Sequence, residues 1–251
     1  MNPTHQTYSE LQHAYDHFNQ ALFGGQLPSC LITLQREKRS YGYFSSKRFS
    51  NAAGMFTDEI AMNPTYFAVV PLVETMQTLV HEMCHLWQHH FGEPGRGRYH
   101  NEEWATKMEQ IGLMPSSTGK PGGKRTGDHV ADYAVADGPF LKACAALLTQ
   151  SFRISWYDRF PAVEHVRAGQ SSLGMQLAET VGGGRVPAAS IPSMANLVLA
   201  AAVEATGVAP EATANRSNRV KYQCPCKKAV WGKPALKLIC GECGKGFASA
   251  A

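Results

Sequence analysis

The residues best suited to chemistry are concentrated in one stretch, Leu79-Val80-His81-Glu82-Met83-Cys84-His85-Leu86-Trp87. It spells His-Glu-x-x-His. Residues four apart lie one above the other on a helix surface, so His81 and His85 can present two ring nitrogens to one metal ion. Glu82 falls beside that ion, where a carboxylate can take a proton from water that the metal has acidified towards neutrality.

Two histidines do not complete such a site, because catalytic zinc usually has three protein ligands and one open position. His89 continues the stripe but lies roughly 12 Å along the helix axis from His81, too far to share an ion, and His90 fails for the same reason. The third ligand must come from a second segment. His100, which follows a Gly- and Arg-rich loop and opens another helical pattern, is the best candidate. A thermolysin-like site would instead use a Glu such as Glu102 or Glu103. The metzincin pattern needs Gly and His where this chain has Gln88 and Phe91, and is excluded. A purely structural zinc site would be closed by four ligands and rich in Cys. Cys84, inside the motif, is expected to pack as a small hydrophobe.

The flanking residues carry a resemblance. His100 followed by Glu103-Trp104, fifteen residues after His85, resembles the SprT-like family, to which the Spartan proteases also belong. In that family a third His precedes an aromatic four residues on. Phe18-Asn19, Leu22-Phe23-Gly24-Gly25-Gln26-Leu27-Pro28, Tyr41-Gly42-Tyr43-Phe44 and Ile60-Ala61-Met62-Asn63-Pro64 extend the likeness, which runs to about Pro115. It implies a zincin-like metalloprotease domain with one catalytic Zn²⁺ on His81, His85 and His100 and with Glu82 as the catalytic residue. It also implies a zinc-dependent endopeptidase acting on proteins bound or crosslinked to DNA. The alternative is a non-catalytic, zinc-containing adaptor that binds DNA or protein.

The elements that must position these residues are legible in part. Tyr8, Leu11, Tyr15, Phe18 and Leu22 recur at helical spacing over residues 6–23, before Gly24-Gly25 stops the helix. Leu31–Leu34, Tyr41–Phe49 and Gly54–Met62 are β-leaning runs too close together for crossover helices, so an antiparallel sheet is expected. Pro71 suits the first residue of the motif helix, which runs to about Phe91, with Leu72, Met76, Leu79, Met83 and Leu86 on its core face. Residues 116–127 hold too much Gly and Pro for an element interior and form an exposed loop. Lys120, Lys124 and Arg125 there can contact phosphates or merely be solvated. The loop lacks a Gly-Lys-Ser/Thr step, so no nucleotide cofactor is expected. His129 follows it and can approach substrate. His5, His13, His17 and His165 read as solvated or hydrogen-bonded residues. Phe140, Leu141, Cys144, Leu147 and Leu148 mark a helix that packs back on the core, burying Cys144.

The expected organisation is α+β: a protease domain of helices on a small antiparallel sheet over 1–150, a flexible Ala/Gly/Ser/Pro-rich linker over 151–220, and a zinc ribbon over 221–251. Cys224, Cys226, Cys240 and Cys243 supply four thiolates in two close pairs, which a structural Zn²⁺ requires, although the first pair is separated by a single residue. Gly241 and Gly244 give the second turn its freedom. Lys227, Lys228 and Lys233 beside the cysteines can contact nucleic-acid phosphates or merely solvate the ribbon. Trp231 either stacks on unpaired bases, giving DNA as a partner, or forms the ribbon core with Phe247. The 251 residues carry a net charge of +4, so any DNA affinity should be local to this tail. No run of apolar residues is long enough to span a bilayer and no leader opens the chain. Seven cysteines, four of them crowded into the last thirty residues, fit metal binding in a reducing, cytoplasmic setting, with association with the nucleoid allowed.

Overall fold

A computed structural model of the protein describes residues 2–38, 40–149, 152–160 and 220–250. It divides into two units, residues 1–201 and 202–251; the first mixes helices with small sheets, and the second, among the described residues, holds one small sheet.

Helix α1, Pro3–Phe23, begins three residues earlier than its apolar stripe suggests. The Asn2 side chain caps it by accepting from the Thr4 and His5 N–H groups, and Pro3 fits the first turn because its missing N–H would have no partner there. Gly24, at φ +65°, ends it. Leu11, Ala14, Tyr15 and Phe18 are buried, and the Asn19 amide clamps both backbone groups of Leu27 to close the following turn.

Strands β1 (Leu31–Leu34), β2 (Gly42–Ser50) and β3 (Phe56–Met62) form a sheet of order β1-β3-β2. It is mixed, which corrects the antiparallel expectation: β2 and β3 form an antiparallel hairpin, but β1 lies parallel to β3. The hairpin partner β2 occupies the connection that a helix would otherwise fill. Between Ser45 and Phe49 the β2 register shifts in a bulge, with Lys47 at φ +49°.

Helix α2, Leu72–Phe91, crosses this sheet. Pro71 is its N-cap, with extended ψ, rather than its first residue. Val73, Met76, Leu79, Val80, Met83, Cys84 and Leu86 are all buried, so the helix is covered on most sides. Helix α3, Glu102–Gln110, is capped by Asn101 and buries Trp104 and Met108. Strands β4 (Leu113–Ser116) and β5 (Ala131–Ala134) pair antiparallel around the Gly- and Lys-rich loop. Helix α4, Pro139–Thr149, returns to α1 as expected: Cys144 is buried, Phe140 stacks on Phe18, and His17 donates from Nε2 to the Ala143 carbonyl.

Order continues past residue 150. Ile154 is buried, the Ser155 N–H donates to Glu10 and the Trp156 indole to Gln6, so residues 152–160, expected to open the linker, instead pack on α1. The remainder of that expected linker lies outside the described residues, as does His165.

In the second unit, β6 (Val220–Gln223) pairs with β7 (Ala229–Gly232) and β8 (Ala248–Ala250) in the order β7-β6-β8. Its buried aromatic is Tyr222, whose hydroxyl donates to the Lys233 carbonyl and accepts from the Leu236 N–H. Trp231 is 66% exposed and takes no part in that core. Among the described residues no helix is long and apolar enough to cross a membrane.

Candidate metal centre

Three imidazoles converge where α2 meets the segment entering α3. His81, His85 and His100 each place one ring nitrogen within 4.8 Å of the other two, with Nε2 of His85 and Nε2 of His100 3.1 Å apart. Glu102 and Glu103, the alternative third ligands, are absent from the cluster. His100 precedes α3 instead of opening it, and an antiparallel bridge to Gly127 holds it there. The His100 N–H donates to the Gly127 carbonyl at 2.9 Å, the Gly127 N–H returns to the His100 carbonyl at 3.1 Å, and ring Nδ1 reaches the same Gly127 oxygen at 3.0 Å.

That carbonyl can only accept, so His100 Nδ1 carries the proton and Nε2 keeps its lone pair. His81 Nδ1 likewise faces Asp132 Oδ2 at 2.9 Å, and Gln77 donates to Asp132 Oδ1 at 2.7 Å. These partners fix ring orientation and turn the free nitrogens inward, the arrangement of metal-ligating histidines. Burial, reinforced by the charge on His81, holds His85 well below its ordinary value and His100 down to about 4. Burial also disfavours the His81 cation, but its hydrogen bond to Asp132 lifts it above the ordinary value. Neutral His85 and His100 nitrogens crowded against His81, with no proton between His85 Nε2 and His100 Nε2, fit a divalent cation, zinc above all.

Glu82 sits beside this cluster, 7% exposed. Burial raises its pKa, while the charge on His81 and a hydrogen bond from the Phe44 backbone of β2 work against the rise. Trp104 closes the site from beneath. Its ring stacks on His85 at 5.2 Å, meets His100 edge-on at 4.3 Å, and buries an indole N–H that has no hydrogen-bond partner. Cys84 is buried behind it, its thiol pushed well above the ordinary range by desolvation, and packs as a small hydrophobe.

A polar clasp fixes the spacing between the two histidine segments. The buried Gln88 amide donates to Asn101 Oδ1 and Glu103 Oε2, both at 2.7 Å. Glu103 Oε2 also accepts from the Glu93 N–H at 2.7 Å. The end of α2 is thus tied to the start of α3, which keeps His85 opposite His100.

A family model described as SprT-like family matches residues 11–121. A second match is 63% identical over 59 residues, covering 23% of this chain and 80% of the relative, a Salmonella typhimurium protein named "Uncharacterized protein in mucB 3'region". The chain belongs to the SprT-like family. That family is generally of zinc metalloprotease type, and the region matched by its model contains His81, Glu82, His85 and His100. No solved structure matches the chain. The SprT-like match ends at residue 121 and leaves the C-terminal unit outside it.

In that unit Cys224, Cys226, Cys240 and Cys243 form a second cluster, with Sγ of Cys224 3.2 Å from Cys243 and Sγ of Cys226 3.7 Å from Cys240. The single-residue spacing of the first pair is accommodated by a turn in which Lys227, at φ +70°, donates its N–H to the Cys224 carbonyl. Gly244, at φ +64°, plays the matching part in the second turn, whereas Gly241 needs no positive φ. Backbone N–H groups of Cys243 and Glu242 hold the Cys240 thiol down to about 6, which favours the thiolate a metal requires. The four sulfurs fit zinc as the imidazoles do.

The cationic residues are less uniform than their sequence suggests. Lys120 and Lys124 are exposed on the β4–β5 loop, but Arg125 is held by Glu102 and Glu109 of α3 and is not free to meet a phosphate. In the cysteine unit, Lys228 pairs with Glu242, while Lys227, Lys233 and Trp231 are exposed. His129 is exposed and lies outside the histidine cluster. Asp132, Gly127 and the Gln88 clasp have no sequence signal, since each acts through a tertiary contact.

Proposed function

We propose that this chain is a zinc-dependent endopeptidase with a zincin-like catalytic domain, acting on proteins bound or crosslinked to DNA. The observation that carries the reading is the convergence of His81, His85 and His100 beside a buried Glu82. When bound, zinc polarises the scissile carbonyl and acidifies the attacking water. His81, His85 and His100 hold it as neutral ligands, with Asp132 and the Gly127 carbonyl keeping two of the rings in the required tautomer. Glu82 accepts the proton that the attacking water loses and delivers it to the departing amine nitrogen. Burial suits it to both tasks by bringing its protonated form nearer to neutral pH. The Phe44 N–H keeps its carboxylate oriented.

The substrate class draws support from the cysteine unit, in which zinc has a structural role. Residues 220–250 contain six lysines and a single carboxylate, Glu242, and expose Trp231. Such a surface attracts a phosphate backbone and offers a ring for base stacking. DNA bound there raises the local concentration of proteins on the same DNA, which supplies selectivity to a cut that needs little of its own. The test is a gel assay of a protein–DNA adduct with zinc-loaded full-length protein, with Glu82→Gln as control. Shortening of the adduct by wild type alone is expected. An adduct left intact refutes the reading, and DNA binding equal in the two proteins without cleavage points to an adaptor.

A further inference from the structure

His89 and His90 are too far along α2 to join the first cluster: they lie roughly 6 and 7.5 Å along the axis beyond His85. The fold gives them another partner. Asp58 of β3 is 5% exposed, and the three side chains place one ligand atom each within 4.8 Å of one another.

The Asp58 carboxylate is fixed at both oxygens. Oδ2 faces His90 Nε2 at 2.6 Å, and Oδ1 accepts the Lys47 N–H at 2.7 Å. Lys47 is the bulge residue of β2, at φ +49°, a conformation that costs a non-glycine residue about 1 kcal/mol or more. The strained backbone therefore serves to aim one N–H at one carboxylate. A simple Asp–His pair needs no third group, yet His89 stands within ligand distance of both, its ring 5.0 Å from that of His90 and 5.8 Å from Phe44.

We propose that Asp58, His89 and His90 form a third, independent metal site that takes a borderline divalent transition-metal ion and pins the β2–β3 hairpin to the end of α2. Two imidazoles and one carboxylate favour Zn²⁺, Ni²⁺ or Cu²⁺ over Mg²⁺ or Ca²⁺. His90 is partly exposed, so the site opens to solvent and exchanges its ion more readily than the buried cluster. Its place gives it a consequence, because β2 also carries Phe44, whose N–H orients Glu82. An ion that fixes the hairpin fixes that contact.

The test is metal content after equilibrium dialysis of full-length protein against graded free Zn²⁺, for wild type, His89→Ala and Asp58→Asn, repeated in a His100→Ala background. Comparison of matched proteins makes the result independent of the first centre and of the proposed peptidase activity. Wild type is expected to bind one equivalent more than either variant in both backgrounds, with Ca²⁺ unable to compete. Cu²⁺ bound at the site in the His100→Ala background should show coupling to two imidazole nitrogens, falling to one in His89→Ala. His89→Ala leaves the Asp58 hydrogen bonds to His90 and Lys47 intact, so loss of its equivalent with an unchanged urea midpoint in metal-free protein reports ligation. Equal zinc content in wild type and His89→Ala across the titration overturns the proposal.

Discussion

Replacing Gly92 with Ala tests whether the clasp between α2 and α3 sets the geometry of the first centre. Gly92 has φ −135° and ψ −161°, extended backbone that any residue adopts, so the substitution costs nothing in conformation. The cost is steric. A Cβ there would lie 2.4 Å from Glu103 Oε2 and 2.7 Å from its Cδ, and the carboxylate must move. In moving it gives up hydrogen bonds to the Gln88 amide and the Glu93 N–H. Glu93 is exposed and can turn to water, but Gln88 is 3% exposed and cannot. A bond to a charged acceptor contributes about 1.5–3 kcal/mol, and Gln88 retains its bond to Asn101, so a loss of about 2 kcal/mol is expected. The assay is urea unfolding followed by circular dichroism for Gly92→Ala, Glu103→Ala and the double variant. Once the Glu103 side chain is gone the methyl group has room, so the second substitution should cost less than about 0.5 kcal/mol. Additive effects in the cycle would refute the steric argument. Because the clasp spaces His85 from His100, Gly92→Ala should also release zinc to a chelator sooner than wild type.

Asp132→Asn weakens the partner of His81 Nδ1, so zinc affinity at the first centre should fall about 10–100-fold in chelator competition, while unfolding of metal-free protein changes little. An unchanged affinity would remove Asp132 from the site. Gly42→Ala drives a Cβ to 2.8 Å from the Ala61 carbonyl and 3.0 Å from Thr78 Cγ2, which should cost about 1–3 kcal/mol and shift β2, slowing any Glu82-dependent cleavage. Metal-stripped protein should be acid-sensitive. Burial and the charge on His81 bring His100 from 6.5 to about 4, so the unfolded chain binds more protons than the folded one between those values. The contribution is whole above about pH 6.5 and lost as pH falls towards about 4. His100→Gln should flatten the urea midpoint across that window.

The metal residues were legible because a helix converts sequence spacing directly into position. His81 and His85 needed only the 3.6-residue turn, and His100 needed only a second segment of suitable length. The partners that orient them were not legible. Asp132 and Gly127 reach His81 and His100 from fifty-one and twenty-seven residues away, through a strand edge and a two-residue bridge with no periodic signature. The parallel pairing of β1 with β3 was hidden because the chain passes through β2 in between. Helix α1 outran its apolar stripe because a cap and a proline, not burial, begin it. His89 and His90 lie outside the first cluster, as helix geometry requires, but distance from His81 says nothing of Asp58, which only the folded sheet brings to them. In the cysteine unit, aromatic type alone did not separate the buried Tyr222 from the exposed Trp231.

Trp104 gives the first centre an optical consequence. The chain has four tryptophans in four different surroundings. Trp87 is half-buried under the Lys107 ammonium, Trp156 and Trp231 face solvent, and Trp104 alone is fully buried against imidazole rings. An indole shielded from water emits at the blue edge of the tryptophan range, and contact with His85 and His100 couples its excited state to whatever those nitrogens hold. Cation entry therefore alters the blue part of the emission and leaves the red part, from the solvent-facing rings, as an internal reference. The protein carries its own indicator of metal occupancy, with no label attached.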